Sequence, residues 1–248
     1  LKASSTLENE LTFFGGEAKM KGTAIIQPTG MTGYGIMSMQ KANLGSDAFR
    51  FKRYDIDSDT AVFNLKNPVP EEGESPLAFS SNNVTAHISF KDRKGDFKSN
   101  DGEEMKYFPV IKYACKVDLF TWLMDQDEME LSKKGSGSGS GDININTDLD
   151  LAQPNMFSTH PDQDSLAFRA PKVKFTMRSK VLYCSDTKFI DVADARIYPD
   201  SSKVTIRKNA AMDPLLNSKI VANYVTKYHT FLNAKTSIAA RRKYTSEG

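Results

Sequence analysis

Apolar and polar residues alternate along much of this chain, and clusters of turn-forming residues interrupt the alternation. Segment 142–151 has an apolar or β-branched residue at every second position. That period is typical of a β-strand with one buried and one solvated face. The strand-like segments 192–198 and 203–207 are separated by Pro199-Asp200-Ser201-Ser202, which predicts a hairpin or a solenoid corner. The pattern therefore constrains the chain to a fold built from sheets.

Further strands are predicted at a spacing of roughly ten residues, which is typical of sandwiches, jelly rolls and solenoids. The best helical candidate is Tyr107–Met129, but Pro109 interrupts its start and Val117–Met124 fits a buried strand better. We therefore expect an all-β fold with little helix: a repetitive β-solenoid, a β-jelly-roll or an open β-taco. The further predicted strands are 24–27, 33–39, 48–53, 61–65, 78–80, 84–90, 173–177, 181–184, 188–191, 218–222 and 234–240.

An internal similarity links the two halves of the chain. Leu77-Ala78-Phe79 followed by 84–88 aligns with Leu166-Ala167-Phe168 followed by 173–177, at the same offset in both parts. Each copy consists of an apolar entry, a strand, a charged turn and another strand. The similarity predicts a duplicated structural unit.

One segment has a composition that is found nowhere else in the chain. Residues 135–141 are an unbroken Gly-Ser alternation, which behaves as a flexible coil and carries no packing information. We interpret it as an engineered linker between two natural β-rich segments, 1–134 and 142–248. These segments are expected to pack together as one continuous β structure, with a longer natural connection removed.

Charge and cysteine content exclude several classes of protein. The chain has 33 basic and 31 acidic residues, a balance that argues against a nucleic-acid surface. It has no apolar stretch of about eighteen residues, so no transmembrane segment is predicted. Cys115 and Cys184 lie in apolar strand-like runs without Cys-x-x-Cys spacing, which predicts two buried free thiols.

Catalytic motifs are missing from the sequence. It contains no nucleophile elbow, phosphate-binding loop, dinucleotide fingerprint or zinc-protease motif. The acidic ladder in 142–150 lacks the glycine and glutamate of a calcium loop. The acidic groups at 125–128 and 162–164 would serve a polysaccharide hydrolase only if the fold placed two of them across a cleft. We therefore predict no enzyme, no catalytic or metal-binding residue and no cofactor, with a hydrolase as a weaker alternative.

Three segments carry a resemblance to known proteins. They are STHPDQDSL at 158–166, VADARIYPD at 192–200 and NSKIVAN at 217–223, and they resemble large uncharacterised cell-envelope β-repeat proteins of Bacteroidota. More loosely, the strand-turn-strand rhythm resembles the OstA-like and AsmA/TamB-like lipid-transport β-groove proteins. The resemblance implies a periplasmic or outer-membrane-associated setting and an apolar concave face, and it supplies no catalytic motif.

Two functions other than catalysis follow as expectations. The first, which we favour because its strand rhythm is the closer likeness, is a groove that binds or bridges lipid or lipopolysaccharide, although the same apolar residues also fit a closed core. The second is a structural or adhesive scaffold that binds protein, including other envelope proteins, or glycan, with Tyr107, Trp122 and Tyr198 as possible contacts. Exposed strand edges would also permit edge-to-edge self-association. The residues predicted to line the groove are Phe79, Val84, Ile88, Phe168, Val173, Phe175 and Met177.

Overall fold

A computed structural model describes residues 1–6, 9–133, 153–223, 225 and 229–248. The all-β prediction is confirmed: 60% of the residues are in strands and 5% are helical. The helical residues of the described ranges form short 3-10 turns only. The predicted linker, the predicted strand at 142–151 and the acidic ladder within it lie outside the described residues.

The strands of the described ranges are numbered here in chain order. Those before the linker are β1 (Lys2–Ser4), β2 (Leu11–Phe13), β3 (Ala18–Gln27), β4 (Gly30–Met39), β5 (Ala42–Phe51), β6 (Asp55–Lys66), β7 (Leu77–Ser89), β8 (Lys94–Ser99), β9 (Lys106–Phe108), β10 (Tyr113–Cys115), β11 (Leu119–Leu123) and β12 (Glu128–Ser132). Those after it are β13 (Met156–Ser158), β14 (Ala167–Phe168), β15 (Lys172–Thr176), β16 (Val181–Ser185), β17 (Ile190–Val192), β18 (Ala195–Tyr198), β19 (Val204–Ile206), β20 (Leu215–Ala222), β21 (His229–Ala240) and β22 (Lys243–Glu247).

One long antiparallel meander forms most of the molecule. Strands β3 to β8 pair in chain order, and the ladder continues through β11, β12, β15, β16 and β19. Strands β1 and β2 both pair with β3. The pairing of β12 with β15 joins the segments on the two sides of the linker within a single sheet. Strand Leu119–Leu123 also confirms the strand interpretation of Val117–Met124.

A second set of short strands is attached to the meander. Strands β9, β10, β13 and β14 pair in that order, and a single bridge between Ser80 and Tyr107 connects them to β7. A separate sheet contains β17, β18, β20, β21 and β22 in that order. Strand β22 is an edge of this sheet, so the predicted edge-to-edge self-association has a candidate strand and stays a prediction.

The main sheet curls into a half-barrel, and side chains of strands that are not paired with each other meet on its concave face. The ring of Phe63 on β6 lies 4.1 Å from Phe97 on β8 and 5.7 Å from the Trp122 ring on β11, between ring centroids. Strand β7 alone separates β6 from β8 in the ladder. The concave face is therefore filled by aromatic side chains of the same sheet. Of the architectures expected from the sequence, the open β-taco comes nearest in its curl, but its interior is closed here.

Two glycines permit a close approach in the β3–β4 hairpin. Gly22 and Gly35 face each other across the ladder. A Cβ atom on Gly35 would lie 2.2 Å from the carbonyl oxygen of Lys21, and the residue has a φ of +133°. Both the contact and the dihedral exclude a side chain at this position.

Three hairpins of the meander share one turn design. Each turn begins with a buried apolar residue and ends with a charged residue whose φ is positive, a backbone region uncommon outside glycine. The turns are 90–93, between β7 and β8; 124–127, between β11 and β12; and 177–180, between β15 and β16. Their first residues are Phe90, Met124 and Met177, and their last are Arg93, Asp127 and Lys180.

Backbone hydrogen bonds stack these turns side by side. The amide of Met124 donates to the carbonyl oxygen of Arg93 at 3.1 Å, and the amide of Met177 donates to that of Asp127 at 2.9 Å. The charged last residues consequently follow one another along one end of the sheet.

The hairpins correct the internal similarity read from the sequence. When the turn 90–93 is matched with the turn 177–180, Ala86 and Ile88 correspond to Val173 and Phe175. The alignment of Val84 with Val173 is therefore wrong by two residues. Because side chains alternate with a period of two, a shift of two keeps every inward residue inward and looks equally good in sequence. The flanking match also fails: Leu77–Phe79 belongs to β7, whereas Ala167–Phe168 forms β14 in the second set of strands.

The charged ends of the three turns bind the first part of the chain through ion pairs of alternating sign. We call these pairs the ion-pair seam. Its members are Arg93 with Glu17, Asp127 with Lys41, and Lys180 with Glu74. The seam therefore holds the β3–β6 part of the half-barrel against the hairpins that follow it.

Glu74 is the most heavily bound carboxylate of the seam. Lys180 donates to it at 2.6 Å, the Lys208 ammonium lies 2.5 Å away, and the amide of Glu71 donates at 3.0 Å. The hydrogen bond from the Glu71 amide contributes most to holding the pKa of Glu74 far below its usual range, and the ammonium groups of Lys180 and Lys208 contribute next.

We expect Gly35→Ala to destabilise the protein by about 3 kcal/mol, because the new Cβ atom would push β3 and β4 apart and strain the backbone. Gly45→Ala is the matched control, since a Cβ atom there meets only Ile36 Cγ1 at 4.0 Å. The control should change stability by less than about 0.5 kcal/mol. Urea unfolding of both variants tests this, and equal effects would contradict the close-approach argument.

We expect the stabilising effect of Glu74 to disappear in acid. Its folded pKa is depressed, so the unfolded chain binds the proton more readily than the folded protein. The contribution is therefore fully present above the ordinary glutamate pKa of about 4.3 and is lost as the pH falls through that value towards the folded pKa.

The measurement compares thermal midpoints of the wild-type protein and Glu74→Gln from about pH 7 to about pH 3. The difference between the two should be largest at neutral pH and should shrink in acid. Glu72→Gln, an exposed glutamate of the same loop, is the matched control. A difference between wild type and Glu74→Gln that stays constant with pH would refute the assignment.

Candidate functional site

The side chains predicted to line a lipid groove are all buried. Each is no more than 3% exposed, and all belong to the main core cluster. They lie on β7 (Phe79, Val84 and Ile88), β14 (Phe168), β15 (Val173 and Phe175) and in the turn 177–180 (Met177). At these residues the apolar face is a closed core rather than an open groove.

Phe108 shows how the core closes. It comes from β9, and its ring centroid lies 5.1 Å from that of Phe79 and 5.1 Å from that of Phe175. The second set of strands thus covers the concave face between β7 and β15. The sequence signal for this cover was weak, because β9 and β10 are only three residues long and follow Pro-containing or turn-rich segments.

The two cysteines are free and buried, as predicted. Burial raises the pKa of the Cys115 thiol to about 12 and also raises that of Cys184. A thiol with so high a pKa is a poor nucleophile at neutral pH. These residues belong to the packing of the core.

The acidic group at 125–128 does not converge on one point. Asp125 binds Arg93 at 3.2 Å, and Glu128 binds Lys174 at 2.8 Å on a neighbouring strand. Asp127 binds Lys41 and also Arg178, at 2.7 Å. Each carboxylate of this group is held by its own cations.

A cleft lies between the first two pairs of the ion-pair seam and has a volume of about 550 Å³. It opens where the turns 90–93 and 124–127 meet the end of β4, within the size range of small-molecule pockets, about 300–1,000 Å³. Its apolar floor consists of Met39, Phe90, Trp122 and Met124, and its polar wall of Glu17, Lys19, Gln40, Lys41, Arg93 and Asp125.

The floor is fixed by packing from below. The Phe14 ring stacks on Phe90 with centroids 4.2 Å apart, and the Phe63 ring packs near Trp122. Met39 and Met124 are both 5% exposed. The floor of the cleft is consequently the packed end of the half-barrel core.

The wall is fixed by ion pairs. Arg93 bridges the carboxylates of Glu17 and Asp125, and these carboxylates raise its pKa further. Lys41 binds Asp127 and donates to the carbonyl oxygen of Met124 at 3.0 Å. Three cations and two carboxylates line the cleft, and Asp127 balances Lys41 from behind, so the wall carries little net charge.

Of the three aromatic residues predicted as partner contacts, only Trp122 lies at this site. It lines the cleft, although it is only 2% exposed. Tyr107 is 45% exposed on β9, and Tyr198 on β18 packs near Phe189 and Lys219. The structure therefore does not bring the three together.

No protein-family model, curated protein or solved structure matches this chain. Within the described ranges, no group of three or more His, Cys, Asp or Glu side chains is arranged to hold a metal ion. A membrane-spanning helix is likewise absent from these ranges.

We expect Asp127→Asn to destabilise the protein by about 2 kcal/mol, because it leaves the partly buried Lys41 without a counter-charge. Asp186→Asn is the matched control: Asp186 pairs with Lys172 at 3.1 Å, and both side chains are more than half exposed. Such a pair contributes less than about 0.5 kcal/mol on average. Urea unfolding separates the two cases. If Asp186→Asn destabilises the protein as much as Asp127→Asn does, the stabilising role assigned to Asp127 in the ion-pair seam is contradicted.

Proposed function

We propose that this chain is a non-enzymatic scaffold module that binds a protein or glycan partner through its loops and its cleft. The observation that carries the proposal is the filled concave face of the half-barrel. A sheet whose interior is packed by its own side chains is stable without a ligand and offers rigid turns for recognition.

A lipid-binding groove is less well supported by the same observation. A carrier needs apolar surface that a lipid chain can reach, and the seven side chains expected to provide it are at most 3% exposed. Their contacts with one another and with Phe108 leave no free apolar face at these positions.

Catalysis by paired carboxylates is also less well supported. A glycosidase needs one carboxyl group free to donate a proton and a second placed across the scissile bond. Glu17 and Asp125, which line the cleft, both bind the same guanidinium of Arg93. Such carboxylates are suited to holding hydroxyl groups rather than to transferring protons.

The cellular setting is part of the proposal and rests on the resemblance of segments 158–166, 192–200 and 217–223 to envelope proteins. An extracytoplasmic scaffold would meet both glycans and other envelope proteins. The exposed edge strand β22 would suit contacts with a neighbouring module.

Native mass spectrometry of the purified protein tests the scaffold against the groove. We expect a ligand-free mass that stays unchanged after incubation with phospholipid vesicles or lipid A, because the core is already filled. Organic extraction of the same sample should yield no stoichiometric lipid. A defined number of bound lipids per chain would overturn the proposal in favour of lipid transport.

A further inference from the structure

Strand β22 leaves one edge of the five-stranded sheet without a neighbouring strand. It pairs with β21 on one side, and no other strand of the described ranges pairs with it. Outside that pairing, the described residues form no backbone hydrogen bond with 243–247. All residues of β22 except Tyr244 are exposed. An edge whose N–H and C=O groups are open to solvent is a template for a further strand.

The length of β22 distinguishes it from the other open edges. It has five residues, whereas the other edge strands of the described ranges have two or three residues each. The edge of β19 is also partly covered, because a bridge joins Ile206 to Met212. Strand β22 is therefore the edge on which a further strand would form the most hydrogen bonds.

The charges of β22 match those of a second copy of the same strand. When two copies run antiparallel about a two-fold axis through Thr245, Lys243 of each copy lies opposite Glu247 of the other. This is the symmetric register that pairs all five residues. Two cross-strand ion pairs then flank a contact between the two copies of Thr245, whose branched side chain suits a strand.

The charges of β22 are not neutralised within the chain. Lys243 and Glu247 take part in no ion pair of the described ranges. Glu247 faces Lys235 on β21, but Lys243 has no charged residue opposite it there. The neighbouring Arg242 is already paired, with Asp164 at 3.3 Å. A second copy would supply the carboxylate that Lys243 lacks.

We infer that β22 pairs with β22 of a second copy of this chain in that antiparallel register, so that the two five-stranded sheets become one continuous sheet. The inference rests on the proposed function and names a partner of the scaffold module. Two strands of five residues form a small interface, so we expect a dissociation constant on the order of 10–100 μM.

Charge reversal at the two ends of the strand tests the register, and sedimentation velocity reports the oligomeric state. The wild-type protein should change from monomer to dimer as its concentration rises to about 1 mM. Lys243→Glu and Glu247→Lys each turn both ion pairs into like-charge contacts, which should weaken dimerisation about tenfold or more. An equimolar mixture of the two variants should dimerise as the wild type does, because each supplies the charge that the other needs.

Lys98→Glu is the matched control. Lys98 is an exposed lysine on β8, which is paired on both sides, so the same change of charge should leave dimerisation as it is in the wild type. Circular dichroism and the thermal midpoint establish that each variant is folded. If Glu247→Lys does not fold, because Lys235 lies opposite it, the comparison of Lys243→Glu with Lys98→Glu decides.

The inference is overturned if the wild-type protein stays monomeric up to about 1 mM. It is also overturned if Lys243→Glu dimerises as tightly as Lys98→Glu, or if the mixture of the two folded reversal variants stays monomeric. A failure of this kind leaves the ligand-free mass of the single chain unaffected. Bound lipid would overturn the proposed function without changing how dimerisation depends on charge, so the two proposals can fail separately.

Discussion

The shape of this protein depends on how a long antiparallel sheet is held in its curled form, and the ion-pair seam supplies that constraint. Hydrophobic burial drives the sheet to fold over itself but does not select where it does so. The ion-pair seam selects that position because the charges of its members alternate in sign. If the hairpins slipped by one position, Arg93 would face Lys41 and Asp127 would face Glu74, and such like-charge contacts oppose the wrong register. The seam is thus better understood as a determinant of register than as a sum of stabilising contacts.

The cleft is a consequence of the same arrangement. Neighbouring hairpin turns are joined by backbone hydrogen bonds, but their charged residues reach to different elements, Glu17 before β3 and Lys41 between β4 and β5. The two bridges leave an opening between them, and the residues beneath it belong to the end of the core. An apolar floor under a wall of small net charge therefore arises without a dedicated loop. The mouths of barrel-like sheets are common places for ligand sites for this reason.

Much of the fold could be predicted from sequence because the side chains of a strand alternate between its two faces every second residue. Alternation identified Phe79, Val84, Val173 and Phe175 as inward-facing, and they are buried. Alternation could not tell a groove from a closed core, because the closing residue, Phe108, lies on a three-residue strand and its ring contacts Phe79 and Phe175, which are far from it in sequence. A charged turn was predicted after each of the strands 84–88 and 173–177, but the matching turn at 124–127 and the ion-pair partners of all three turns were not. Those partners are brought together only by the curl of the sheet, and no local pattern encodes it.

The filled interior limits the kind of partner that this molecule can hold. A carrier of lipid must keep an apolar face unfilled, which leaves the empty state poorly stabilised unless flexible side chains or loops cover it. Here Phe63, Phe97 and Phe120 already fill the interior, with Phe97 and Phe120 stacked 4.7 Å apart. A partner of such a module would therefore meet the rim, where the ion pairs of Arg93 and Lys41 already hold the polar groups in place. Polar groups that are held in place beforehand lose little conformational entropy when a partner binds, so such a rim favours a partner whose own polar groups are fixed as well.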